Sequence, residues 1–355
     1  MLNFDDFDFA VKALTGGKNA VILDDIGMPS VMVALPKLDS HDLCGDLEPG
    51  THPAWLLGSR ELDTVYLSKF QNVVYQDRAY SLPLLAPAAA IDIDSALSAC
   101  RQKGQDWGLT PAALWSAVAL WSKKNGTMPR GNNDYGSDFH HPEERGAAKT
   151  FSSLAPAKVY HTAAGSGPLT WNHNWRDDGI CDLNGNVSEW QAGLRLCFGE
   201  LQIIKNADCM DHSVSLAADS EDWQALDREN RLISPGLAVS VKLDFLDGVW
   251  AWIDGERFAS RVNTARYCEF KAMGQRLSPL PQRLKELTLF PADPDLSGYG
   301  GEYLYASNGS PESMLIRGGS FASNFIAGLF CSGLNIARYN KSRHFGFRSA
   351  YYGKP

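Results

Sequence analysis

The sequence predicts an α+β fold, loop-rich, with short antiparallel strands and two main helices. Three observations predict it. The 355 residues include ten Trp, sixteen Phe and twelve Tyr among 32 Gly and 18 Pro, the mark of irregular loops pinned by large side chains and not of a helix bundle. Several short runs alternate in hydrophobicity around turn residues, as half-buried strands do. Only two segments combine a 3.6-residue apolar period with good start and stop signals.

In chain order, Asn3 to Leu14 reads as a short helix stopped at Gly16-Gly17. VILDD and SVMVALP are β-branched runs split by a turn near Gly27, and residues 40–60 are Gly/Pro-rich loop. LDTVYLSKFQNVVYQDRAYSL is strand-like and punctuated by turns. The first main helix follows Asp92 and Asp94, with Ala96, Leu97 and Cys100 on one face and Gly104 as its stop. The second is AALWSAVALWSKKNG, with Thr110 as N-cap, Pro111 at the first position and Leu114, Trp115, Val118 and Trp121 as apolar stripe. Residues 127–178 form a long irregular loop anchored by Trp171 and Trp175. Two hairpins are expected, LRLCFGELQII turning at Phe-Gly and VSVKLDFLDGVWAWIDG turning at Asp247-Gly248. Residues 281–290 suit a short helix, and from Leu315 the chain is glycine-punctuated to its end.

Composition excludes several functions. No apolar run approaches the roughly 18 residues of a membrane span, which predicts no membrane insertion. With 33 basic and 41 acidic side chains the net charge is −8, a poor match to nucleic-acid backbone. The beginning, MLNFDDFDFAVKALTGG, lacks a basic start and an apolar core, so no signal peptide and a cytoplasmic location are expected. Seven cysteines (Cys44, Cys100, Cys181, Cys197, Cys209, Cys268, Cys331) form no CxxC pair and read as small buried hydrophobes in a reduced compartment. HExxH, P-loop, GxGxxG and GxSxG elements are all lacking. His140-His141, beside Glu143 and Glu144, reads as a solvated loop.

Two segments carry more information. In Gly179–Trp190, GICDLNGNVSEW, the side chains of Asp182, Asn184 and Asn186 alternate on a glycine-bent loop followed by Glu189. Hard oxygen donors on a tight loop suit Ca²⁺; Asp and Asn equally serve turns by hydrogen-bonding their own backbone. In IRGGSFASNFIAGLFCSGLNIARYNKSRHFGFRSA, from Ile316, the apolar residues fit neither a helical nor a strand period. Such a stretch is either buried irregular structure or a mixed aromatic and polar binding surface.

Together these motifs resemble the formylglycine-generating-enzyme (sulfatase-modifying-factor) type of C-type lectin fold. GICDLNGNVSEW is similar to the family's G-L-Y-D-x-x-G-N-V-W-E-W, RGGS…AR…GFRSA to its R-G-G-S-W…R…G-F-R close, and GLTPAALWSAVALWSKKNG with MPRGNN to its central helix and W-G-N segment. The match runs in order over about residues 30–350, implying residues 1–30 as a helix/strand extension and 31–355 as the lectin-fold domain. The oxidase branch carries two catalytic cysteines where this chain has Ser323 and Gly328, and Cys331 is off register. The iron-dependent sulfoxide synthases need a histidine triad that is missing here. The resemblance therefore implies no enzyme activity; the alternative is an oxidoreductase of the same scaffold with an unrecognised metal site.

The chain is most similar in pattern to variable proteins of diversity-generating retroelements, common in phages and prophages. Arg317-Gly318-Gly319, Ala327-Gly328, Phe330, Leu334-Asn335, Ala337-Arg338 and Gly346-Phe347-Arg348 fall at that branch's spacings, and AGLRLCFGELQIIKNADC, DSEDWQALDRENRLISPG and LKELTLFPAD…GYGGEYLYA resemble its middle blocks. Phe321 replaces the usual Trp, Asn324 the usual Gly, and Ser188 the first Trp of W-E-W. In that family template adenines are mutated, Asn codons above all, which cannot reach Gln, Glu, Met, Trp or Lys. Between Ser320 and Phe345 only Lys341 lies outside the reachable set. The resemblance implies a hypervariable ligand-binding region at 315–350, with Ala322, Ser323, Asn324, Phe325, Ile326, Cys331, Gly333, Ile336, Tyr339, Arg343 and His344 on its face. The partner implied is a protein or glycan on a target cell, bound from a phage virion or after release from the cytoplasm, with an oligomer open. No cofactor is required; a structural Ca²⁺ would sit at Asp182, the carbonyls of Gly185 and Val187, and Glu189.

Overall fold

The computed structural model describes residues 4–153, 155–256 and 264–354. It is a mixed α+β structure, mostly strands with few helices and much irregular chain. Its elements follow local chemistry closely. The helix Phe4–Thr15 ends at Gly16 and Gly17, both with positive φ, the left-handed exit that glycine allows without strain. Asp92 caps Ile93–Arg101 by accepting from the Ser95 amide at 2.7 Å. Both expected hairpins form, Ser188–Cys197 with Glu200–Ile203 and Lys242–Leu246 with Val249–Ile253. Their turns, Phe198-Gly199 and Asp247-Gly248, have positive φ at both central residues, the geometry that matches strand twist.

A five-stranded sheet carries the N-terminal region, in the order 19–23, 29–36, 64–68, 349–351, 107–109. Strand Asn19–Leu23 pairs with Pro29–Pro36 across the residue-30 boundary expected from the sequence. Ser349–Tyr351, near the end of the chain, lies between Thr64–Ser68 and Trp107–Leu109. A larger sheet holds Ser188–Cys197, Ser313–Gly318 and Gly328–Ile336 side by side, with Tyr303–Ala306 running parallel to the last of these. The short Phe345–Gly346 strand runs parallel to Ser188–Cys197.

Helix Ala112–Lys124 lies between the sheets. One apolar cluster runs from Val33, Val65 and Leu67 through Leu114, Trp115 and Val118 to Leu194, Leu201, Trp250 and Trp252. Two expectations about this helix are corrected. It carries no narrow stripe: every residue from Ala112 to Leu120 is buried, because both faces meet a sheet. Thr110 is not its N-cap; Pro111 is, without a side-chain bond, and the Thr110 hydroxyl donates instead to the Arg348 carbonyl at 2.9 Å. Of the two tryptophans expected to anchor the long loop, Trp171 is buried and donates to Glu144, whereas Trp175 is 41% exposed. All seven cysteines are free, five of them buried. Among the described residues no helix is long and apolar enough to cross a membrane.

Candidate functional site: a buried polar frame and an aromatic cleft

The resemblance-derived motifs meet in space. Arg348 is fully buried, and its Nε donates to both carboxylate oxygens of Glu189 at 3.0 and 2.9 Å. Its Nη1 donates to the carbonyls of Ser68 and Lys69 and its Nη2 to that of Cys181. A buried charge is tolerated only when paired and hydrogen-bonded in this way. Arg317 is equally buried but has no carboxylate partner; it donates to the carbonyls of Leu287 and Thr288, just past the short helix Gln282–Glu286, and to Ser332. The two arginines fasten both ends of the 318–347 segment to the interior.

The loop expected to hold calcium is organised around Gln71, which lies outside every sequence motif. Gln71 Nε2 donates to the carbonyls of Asp182 at 3.1 Å, Gly185 at 3.3 Å and Val187 at 3.3 Å, and to Glu189 Oε1 at 2.9 Å. Its Oε1 accepts from Asn186 Nδ2 at 2.9 Å, which fixes the orientation of the amide. An N–H donor thus stands where the oxygens converge, so this donor set, as arranged, does not fit a cation. The Asp182 side chain points elsewhere: Oδ2 accepts from the Gly165 amide at 2.7 Å, and burial pushes its pKa up to about 6. Among the described residues no three His, Cys, Asp or Glu side chains gather as a metal site.

Asn184 and Asn186 join this loop to the one at 130–138. Asn184 Oδ1 accepts from Asn133 at 3.2 Å and Asn186 Oδ1 from Asn132 at 3.0 Å. The backbones touch: a Cβ at Gly131 would lie 1.8 Å from the Asn184 carbonyl, and one at Gly185 2.2 Å from that of Asn132. Asp138 closes the 130–141 turn by accepting from the amides of Gly131, His140 and His141 and from Asn133 Nδ2, all at 2.9–3.1 Å. Glu144, expected to be solvated, is partly buried and binds Arg130, Thr170 and Trp171.

On this frame sits a cleft of about 390 Å³ between the 128–141 loop, Ser297–Glu302 and Asn324–Gly328. A chain of aromatic contacts runs outward from Phe325 in its lining. Phe139 meets Phe325 at 5.8 Å, Phe325 meets Tyr303 at 6.0 Å, Tyr303 meets Tyr267 at 5.8 Å, and Tyr267 stacks on Tyr305 at 3.8 Å. Phe139, Phe325 and Tyr267 are 41%, 47% and 49% exposed. These aromatic side chains are left in contact both with solvent and with each other. Phe321 anchors the adjoining loop from inside, buried against Tyr135, Tyr160, His161 and His344.

The eleven residues expected on the variable face divide. Ala322, Ser323, Asn324, Phe325 and Ile326 form one turn over the cleft, with Phe325 outermost. Arg343 and His344 lie beyond Phe321, His344 stacked on it and Arg343 over Tyr160. Tyr339 is 80% exposed. Three do not present a side chain freely. Gly333 is buried, and a Cβ there would lie 2.7 Å from Ile316. Ile336 packs on the Trp190–Phe347 cluster. Cys331 is only partly exposed, with its thiol pushed up by burial and by nearby Glu302. All three fall on strand Gly328–Ile336, where pairing on both sides constrains the side chains. Glu302, missed in the sequence, is the other buried feature of the cleft; only its place between glycines and an aromatic strand could have signalled it.

No protein-family profile matches the chain, and no curated protein matches it. Among solved structures it is similar to PvdO from Pseudomonas aeruginosa, with 12% identity, a TM-score of 0.36, and 94% of this chain and 98% of the other covered. It is likewise similar to Treponema denticola variable protein 1, with 12% identity, a TM-score of 0.31, and 94% and 99% coverage. At these values neither likeness assigns a function to this chain.

Proposed function

We propose that this chain is a non-catalytic ligand-binding protein on a formylglycine-generating-enzyme-type C-type lectin scaffold, whose 315–350 segment is diversified by a retroelement and presented to a protein partner. The observation that carries the binding role is the partly exposed aromatic chain that meets the cleft at Phe325 of the proposed variable segment. A rigid frame beneath it lowers the ordering cost of binding, and Tyr, Phe and Arg provide most affinity at such faces. The positions of the oxidase cysteines hold Ser323 and Gly328, which supply no thiol for turnover.

Two experiments test the two halves of this reading. For the retroelement, the locus should contain a near-copy of the Arg317–Arg348 coding region, differing mainly at adenines, beside a reverse-transcriptase gene; a locus with neither overturns that half. For binding, a random peptide library panned on the immobilised chain should enrich clones that the double variant Phe325→Ser/Tyr303→Ser no longer retains. Clones retained equally by both proteins would overturn the binding face.

A further inference from the structure

The cleft is not chemically neutral. Glu302 lies in its wall, 4% exposed, immediately before strand Tyr303–Ala306, and its Oε2 has no hydrogen-bond partner. Across the cleft the Oδ1 of Asn324 is also buried without a partner. Both unmet atoms are acceptors, and among the described residues lining the cleft no buried side-chain donor is left unmet. Leaving a buried acceptor unpaired is costly, so the site is built to receive donors. Glycine keeps the way to the carboxyl clear. Gly328 has φ +138°, and a Cβ there would fall 2.5 Å from Glu302 Cγ and 2.7 Å from Oε1.

We propose that the cleft between Gly300–Glu302 and Asn324–Gly328 is a subsite for the ammonium or guanidinium end of a basic side chain on a protein partner. The inference rests on the binding reading above and names its chemistry. A cation entering here meets the exposed ring of Phe325 and a carboxylate in low dielectric, the combination that selects cations over neutral groups. Among the described residues no cation pairs with Glu302. Arg130 is held by Glu144, and Asp138 is saturated by four N–H donors. His141 rests on Glu143, His140 lines the cleft beside it, and Lys271 lies nearer Glu269, at 3.8 Å. The Cys331 thiol, the remaining titratable neighbour, is held protonated by burial. A net charge of −8 draws basic partners towards the whole molecule. Burial pushes the Glu302 carboxyl up to about 7, only partly offset by the amides of Glu302 and Gly300 and by Lys271. The raised carboxyl holds its proton more tightly than an exposed one, and binding a cation must expel it.

The test is an NMR titration of the full chain with the methylamides of Nα-acetyl-lysine, Nα-acetyl-arginine and Nα-acetyl-norleucine, and with N-acetylglucosamine. At pH 8 a basic probe should bind about tenfold tighter than the norleucine probe, the effect of one charge-assisted hydrogen bond, with shifts at Gly301 and Phe325. That preference should largely vanish in Glu302→Gln and weaken in the unaltered chain at pH 6. Equal binding of the norleucine probe, or a preference for the sugar, would overturn the subsite while leaving the binding face standing. Shifts from none of the probes at Phe325 or Tyr303 would also overturn it, and the peptide panning then decides the face separately. An undiminished preference in Glu302→Gln would exclude the carboxyl as its cause.

Discussion

Three carbonyls and a carboxylate share the two N–H groups of Gln71, which no local pattern in the sequence ties to residues more than a hundred positions away. Gln71→Leu would leave those acceptors and Glu189 short of donors in a dry interior, and should cost about 2–4 kcal/mol. Urea unfolding measures this directly. Adding calcium or EDTA to the unaltered chain should leave its melting temperature where it was, since the position is already filled by an amide. Glu302 acts in the opposite direction. Its folded pKa, about 7, lies above the ordinary glutamate value of 4.5 expected in the unfolded chain. Between those values the folded state keeps a proton that the unfolded state has released, so stability falls as pH rises through that window. Glu302→Gln lacks this loss. The variant should match the parent near pH 4 and exceed it at pH 8 by at most about 3 kcal/mol. Equal stability of the two at pH 8 would show that the carboxyl is not strained by burial.

At the scale of elements, the turn over the cleft is positioned by what lies beneath it. Trp115, from the central helix, donates its indole N–H to the Leu329 carbonyl at 2.9 Å and rests against Gly318. Gly318 has φ +88°, and a Cβ there would lie 2.7 Å from the Leu183 carbonyl, a backbone atom that cannot swing aside. Gly318→Ala should therefore destabilise by about 2 kcal/mol or more, from strain and clash together. It should also broaden the NMR signals of residues 320–328, whereas alanine at Gly248, where a Cβ would meet nothing within 4 Å, should cost less and leave them sharp. The elements also separate what the sequence made legible from what it hid. The two hairpins and the Asp92 cap were readable because each is decided by neighbours in the chain. The Thr110 cap was misread because Arg348, distant in sequence, takes its hydroxyl. The central helix was misread because a sheet on each side cannot be inferred from one apolar stripe. In the candidate site the 322–326 turn was legible through its spacing from RGGS, while Gly333 and Ile336 were not, since pairing within the strand decides what they face. Phe139, Tyr267 and Glu302 come from three separate segments and carry no shared pattern at all.

For the whole molecule, the chain closes on itself. Phe345–Gly346 joins the large sheet beside Ser188–Cys197, and three residues later Ser349–Tyr351 sits inside the small sheet, paired on both sides. Between these strands Arg348 ties Glu189 to the carbonyls of Ser68, Lys69 and Cys181. The last dozen residues therefore connect the two sheets, and the segment that presents the turn is fixed before and behind by buried arginines. Exposed side chains of the turn, such as Phe325, can then be changed without reaching the elements that hold the fold. The N-terminal helix is different. Most of Phe4–Thr15 is exposed, and Asp8 ties it to the body by accepting from the Val21 amide at 2.8 Å. Removing residues 1–17 should lower the melting temperature by only a few degrees, the effect of roughly 1 kcal/mol in a chain of this size. Removing residues 345–355 should abolish cooperative unfolding, because it takes out the strand between Thr64–Ser68 and Trp107–Leu109 and strands Glu189 without its arginine partner. Calorimetry of the two truncations decides between this closure and a C-terminus that merely decorates the surface: a cooperative transition surviving the second deletion would contradict it.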